Sequence, residues 1–141
     1  ITFTEAYKAV YEYRQKFPEK AVTFYAQNYP AMGWAVLMAG GSCPVIPCTD
    51  KAFLKDAAIM EVEETNTDDY KRIVKSDIGS IIYSKSGTEI PVQLSSGKYS
   101  LKYIHPSSGK VTMIDKLLKI NDVYTLKVPD KKEGIYWFHK L

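Results

Sequence analysis

Arginine is nearly missing. Arg14 and Arg72 are the only two among 19 basic residues. Arginine is the side chain that grips phosphate with two parallel hydrogen bonds. A lysine surface mixed with acids, at a net charge of +3, reads as solubility, and no nucleic-acid partner is expected. Cysteine is scarce too. Cys43 and Cys48 stand in Cys-Pro-Val-Ile-Pro-Cys, and they read either as two small buried thiols or as a short-loop disulfide. A disulfide needs Cα atoms within about 7 Å, which spacing alone does not decide. Histidine is limited to His105 and His139. With the two cysteines they match no zinc spacing, so neither metal nor cofactor is expected. No apolar run approaches the roughly 20 residues of a membrane helix, and no signal-peptide pattern is visible. There is no Gly-x-Ser-x-Gly elbow. Ala39-Gly40-Gly41-Ser42 follows a helix instead of opening one, which excludes a phosphate-cradling loop there.

What is present is clearest between Lys98 and Val111. Tyr99, Leu101 and Tyr103 alternate with Ser100 and Lys102, the period of a half-buried strand. His105-Pro106-Ser107-Ser108-Gly109 then closes a turn, with Pro106 presetting one φ and Gly109 supplying a positive one. From Tyr70 onward the same period predicts strands near Lys71–Lys75, Gly79–Ser84, Thr88–Leu94, Lys98–His105, Lys110–Ile114, Val123–Val128 and Ile135–Lys140. Ser/Gly clusters between them mark hairpins at the rhythm of an all-β sandwich. In the last strand Ile135, Trp137 and His139 point one way, and Tyr136, Phe138 and Lys140 the other. Both faces are largely apolar, so one should join the sandwich core and the other should lie under the helical half.

The first half is helical. Thr4 is placed to cap a helix from Glu5 to about Phe17, with Ala6, Val10, Tyr13 and Phe17 on one face. Ala21–Tyr25 reads as a short strand or a loop, and Asn28-Tyr29-Pro30 as a breaker. Ala31–Ala39 carries no polar side chain on any side, so it must be buried all round. One amphipathic helix and a small sheet look too little to cover it. Together with the start at Ile1, this favours a chain that is the C-terminal part of a larger fold; a homo-oligomer contact at Met32–Ala39 is the other way to cover the helix. Asp50 should cap a third helix, with Ala52, Phe53, Ala57 and Met60 inward and Lys51, Lys55 and Asp56 in water. Glu61–Asp69 is acid-rich. Paired carboxylates serve glycosidases, but this run has no apolar pocket to split their pKa values. It reads as a solvated linker.

Gly79-Ser80-Ile81-Ile82-Tyr83-Ser84, Gly87, Val92-Gln93-Leu94, Gly97-Lys98-Tyr99 and Tyr103-Ile104-His105-Pro106-Ser107-Ser108-Gly109 together resemble a known domain. It is the collagen-binding-type β-sandwich that follows the (β/α)-barrel in a group of glycoside hydrolases that includes apiosidase-like enzymes. Trp34–Gly41 resembles the last barrel helix of those proteins, and Phe53-Leu54-Lys55 the connector helix after it. The resemblance spans about Tyr29 to Leu141. The family has Asp or Asn before the turn proline, where this chain has His105. Its catalytic carboxylates lie upstream in the barrel and match no position here.

The expected fold is α+β, an N-terminal helical segment (1–68) packed on a C-terminal antiparallel β-sandwich (69–141). The resemblance implies a non-catalytic, extracytoplasmic accessory region of a polysaccharide-degrading glycoside hydrolase, one that buttresses the barrel and holds glycan. The alternative is a stand-alone carbohydrate- or matrix-protein-binding module. Ring faces stack on pyranoses, so the candidate ligand-binding residues are Tyr103, His105, Tyr136 and Trp137. A stand-alone module requires an exposed row of aromatics that includes Tyr99 and these rings.

Overall fold

The computed structural model describes residues 1–24 and 31–141. The predicted breaker Asn28-Tyr29-Pro30, and Tyr25 at the end of the strand-or-loop segment, lie outside them. Ala21–Phe24 is neither helix nor strand. Its backbone still pairs with the loop after the second helix, since the Val22 carbonyl accepts from the Ser42 N–H at 2.6 Å.

Helix α1 runs Phe3–Lys16, and its cap is Thr2 rather than Thr4. The Thr2 hydroxyl accepts from the Glu5 N–H at 3.2 Å, and the Glu5 carboxylate accepts from the Thr2 N–H at 2.8 Å. This capping box satisfies two backbone donors at once. A cap at Thr4 would place Tyr7 at the reciprocating position, where no carboxylate is available. Helix α2 runs Ala31–Met38 and α3 runs Lys51–Ile59. The Asp50 carboxylate caps α3 by accepting from the Phe53 N–H at 2.9 Å, as expected.

Eight strands follow: β1 Glu61–Glu63, β2 Tyr70–Lys75, β3 Gly79–Ser84, β4 Glu89–Gln93, β5 Gly97–Ile104, β6 Val111–Ile120, β7 Val123–Lys127 and β8 Gly134–Lys140. Six form an antiparallel sheet in the order β1-β2-β3-β8-β5-β6, and β4 pairs with β7 in a second sheet. The fold is therefore α+β with a sandwich-like sheet. The last strand enters between β3 and β5, which follows from its composition. A strand apolar on both faces is stable only with neighbours on both edges and cover on both sides.

The two faces of β8 divide the core. Ile135 and Trp137 join α1, α2 and α3 in one apolar cluster, while Tyr136 and Phe138 join Ile90, Val92 and Leu126 of the small sheet in another. The helical and β halves thus share a continuous interface. Helix α2 is central to it: Met32, Trp34, Ala35, Val36, Met38 and the following Ala39 are all buried within this one chain. The expectation that a missing barrel or a second copy must cover Met32–Ala39 is thereby corrected. Helix α1, Phe53 of α3, and the sheet supply the cover.

Two other expectations change. Glu61–Glu63 is not part of a solvated linker but an edge strand paired to β2, with the Glu63 carboxylate 2.8 Å from the Arg72 guanidinium. That guanidinium also donates to the Pro91 carbonyl in the second sheet, tying the sheets together. Strand β6 extends to Ile120, well past the predicted Ile114. Two register shifts opposite Tyr99–Lys102 break its alternation, so the period-2 signal stops early.

The β5–β6 turn has the predicted glycine. Gly109 has φ of 72°, and its N–H donates to the His105 carbonyl at 2.9 Å. Its bare Cα also admits the Pro47 carbonyl, which any Cβ would strike. The Cys43–Cys48 loop therefore rests on this turn. Both thiols are free, Cys43 exposed and Cys48 buried.

Candidate functional site

The second sheet has two strands where the first has six, so it leaves part of the sandwich face open. A cleft of about 530 Å³ lies there, lined by β5, β6, β7, β8 and the loop between β7 and β8. Three of the four sequence-predicted residues line it: Tyr103, His105 and Tyr136. Thr112, Tyr124, Lys110, Lys127 and Lys132 complete its polar and aromatic wall.

The two tyrosines form its floor. Tyr103 and Tyr136 are cross-strand partners, with ring centroids 5.3 Å apart and planes tilted by 56°. Only 9 % of Tyr103 and 2 % of Tyr136 is exposed. Their hydroxyls hold the adjoining loop, since Tyr103 donates to the Glu133 carbonyl at 2.9 Å and Tyr136 to the Lys132 carbonyl at 2.8 Å. Gly134 makes room for this arrangement, because a side chain there would strike the Tyr103 ring. The loop carries Lys132, whose ammonium lies 5.4 Å from the Tyr103 ring centroid.

His105 is fixed from the other rim. Its Nδ1 accepts from the Ser107 and Ser108 N–H groups, both at 3.2 Å. With Nδ1 accepting, Nε2 carries the ring hydrogen and is a donor. The turn that bears His105 is held in turn by Trp34, whose indole N–H donates to the Pro106 carbonyl at 2.8 Å.

Trp137 does not reach the cleft. It lies on the opposite face of β8, 1 % exposed, edge-on to Phe53 at 5.4 Å. Its indole N–H donates to the Asp56 carboxylate at 2.9 Å, and His139 Nδ1 lies 2.7 Å from the same oxygen. Asp56, expected in water, is only 5 % exposed. Ala52, expected inward, is exposed instead. The helix turns Asp56 inward beside Phe53 because two donors on β8 await its carboxylate. The sequence contains a cue: Asp56 is three residues from Phe53 and four from Met60, on the apolar side of α3.

The exposed aromatic row required of a stand-alone module is not present, since Tyr99, Tyr103, Tyr136 and Trp137 are all buried. Among the described residues, no group of three or more His, Cys, Asp or Glu side chains is arranged to hold a metal ion. No described helix is long and apolar enough to cross a membrane.

Comparison with known proteins adds three findings. A family model described as a domain of unknown function (DUF6298) matches residues 1–60, the helical layer before β1. No curated protein matches the chain. A solved structure described as a glycoside hydrolase is similar, with a TM-score of 0.43 and 12 % identity, over 59 % of this chain and 20 % of that one. The chain thus spans about a fifth of that neighbour's length.

Burial sets the behaviour of the floor tyrosines. It pushes the Tyr136 hydroxyl up to about 12, with neighbouring Tyr103 adding to the shift. Tyr103 is raised by burial and then by the Glu133 carboxylate, and Tyr83 is raised by the same two causes. Tyr7, on the buried face of α1, is also pushed up to about 12, chiefly by burial. A folded-state pKa above the unfolded value means the folded chain holds its proton longer. Below pH 10 both states are protonated and this contribution is complete; it is lost as pH rises from about 10 to about 12. Urea midpoints should therefore fall steeply across that window. Absorbance at 295 nm should show these tyrosines ionising together with the loss of far-UV ellipticity. Phenolate formation well before unfolding would contradict the buried floor.

Proposed function

We propose that this chain is a non-catalytic accessory region of a polysaccharide-degrading glycoside hydrolase, and that it holds a segment of glycan in the cleft above Tyr103 and Tyr136. In this reading residues 1–68 form the segment that resembles the end of a barrel and its connector, and residues 69–141 carry the glycan-holding sandwich. The site of action is extracytoplasmic, where polysaccharides are met.

The observation that carries the reading is the cleft itself. Its volume, about 530 Å³, falls within the usual range of about 300–1,000 Å³ for small-ligand sites. An apolar tyrosine floor beneath a rim of hydroxyl and amino groups suits a sugar, which has apolar C–H faces and an equatorial belt of hydroxyls. The His105 Nε2–H and the Ser108 and Thr112 hydroxyls supply directional polar groups at that rim. The resemblance of the Gly79–Gly109 segment to a domain that follows glycoside hydrolase barrels supports the enzyme context.

The test is affinity electrophoresis against plant, fungal and host glycans and collagen, with hydrolysis products assayed in the same tubes. Retardation by a polysaccharide without product is the expected result. Thr112→Trp, which fills the cleft from an exposed position, should abolish the retardation and leave the melting temperature within a degree or two. Turnover by this chain, or retardation by collagen alone, would overturn the reading.

A further inference from the structure

The charge around the cleft is one-sided. Lys110 just before β6, Lys127 at the end of β7 and Lys132 in the following loop all line it. Among the lining residues none is Asp or Glu. The whole chain carries 16 acids against 19 basic residues, so three lysines without one acid among the lining residues is a local arrangement and not the average surface. Of the nearby acids, Glu89 is the cross-strand partner of Lys127, and two others are engaged elsewhere. The Glu133 carboxylate accepts from the Tyr83 hydroxyl at 3.0 Å on the helix-facing side of the sheet, and the Asp130 carboxylate sits against Gly87 in the β3–β4 turn.

Resting on the glycan-binding reading above, we propose that the cleft selects an acidic saccharide, a pyranose bearing a carboxylate or sulfate, over its neutral counterpart. Three segments distant in sequence place the three lysines around one floor, and the tyrosine hydroxyls beneath are committed to the loop that carries Lys132. The ring packs on the floor, the hydroxyls meet Thr112 and His105, and the acidic substituent meets the ammonium groups. Lysine acts here as a mobile point charge that serves either acidic group, without the bidentate geometry arginine would impose.

The experiment compares oligogalacturonate with its fully methyl-esterified form, which has the same backbone and no charge. A sulfated galactan provides the sulfate arm, and polyglutamate controls for plain polyanion adsorption. Binding is read by calorimetry on the whole chain. Oligogalacturonate or the sulfated galactan should bind at least about tenfold tighter than the ester, and the difference should shrink between about 50 and about 300 mM NaCl. K110Q/K127Q/K132Q should remove that advantage, since each partly exposed ion pair contributes a factor of about two to five. K51Q/K55Q on α3, which removes two positive charges away from the cleft, should leave it intact. Equal binding of acid and ester would overturn the selectivity while the glycan reading stands. Binding of no saccharide in any arm would remove both. Equal affinity for polyglutamate, or equal loss in the α3 variant, would reduce the effect to general adsorption and overturn the proposal.

Discussion

Asp56→Ala should destabilise the chain by about 2–4 kcal/mol, the combined cost of stranding a buried indole donor and removing charge-assisted hydrogen bonds. Trp137 carries most of this. It is 1 % exposed, so its N–H has no route to water once the carboxylate is gone. His139 carries less, because 37 % of its side chain is already in solvent. Asp56→Asn retains one carbonyl oxygen of similar shape and should cost about half as much. The measurement is the urea midpoint at constant m-value. In a double-mutant cycle, His139→Gln should lose part of its effect in the Asp56→Ala background, because the two act through one oxygen. Additive effects would mean that the carboxylate does not join the two side chains. The carboxylate joins α3 to the central strand, so its loss loosens the helical layer from the sheet.

Trp34→Ala should cost about 3–5 kcal/mol, the range for truncating a fully buried large aromatic. The ring is 0 % exposed, edge-on to Phe53 at 6.0 Å, in the helix that fills the space between α1 and the sheet. Trp34→Phe separates two contributions. It keeps most of the apolar volume and loses the hydrogen bond to the Pro106 carbonyl, for about 1–2 kcal/mol. That bond holds the turn carrying His105 and leading into Lys110. Trp34→Phe should therefore weaken the proposed glycan binding several-fold in a chain that remains folded, without itself touching the cleft. Denaturant titration and calorimetry on the same preparations check both effects. Unchanged binding in folded Trp34→Phe would mean that the turn holds its shape without the indole.

The strands and their turns were legible because their signals are local. Period-2 alternation places β4 to within one residue of Glu89–Gln93 without reference to any other segment. The same holds for Gly109, whose positive φ is a property of one residue in one turn. The two-faced β8 was legible as well, since apolar residues on both sides of a strand require cover on both sides. Thr2 was missed because the choice between two threonines depends on which one meets a reciprocating carboxylate three residues on. The end of β6 was missed because bulges shift side chains to the other face without leaving a compositional mark.

By itself, then, the sequence determined the α+β class, the hairpin turns, the Asp50 cap and the two-layer burial of the final strand. All of these arise from contacts within a few residues or from the period of one segment. Only the tertiary structure decided that α2 is covered by its own chain, that β4 and β7 leave the main sheet, and that Asp56 is buried. The partners of Asp56 lie 81 and 83 residues away, and a short polar side chain carries no local sign of which distant donors will reach it. The cleft is decided at the same level. Tyr103 and Tyr136 could be named as candidates from their aromatic character, but Lys110, Lys127 and Lys132 read as ordinary surface lysines. They become a charged rim only when three separate segments fold around a sheet face that a two-stranded partner is too narrow to close.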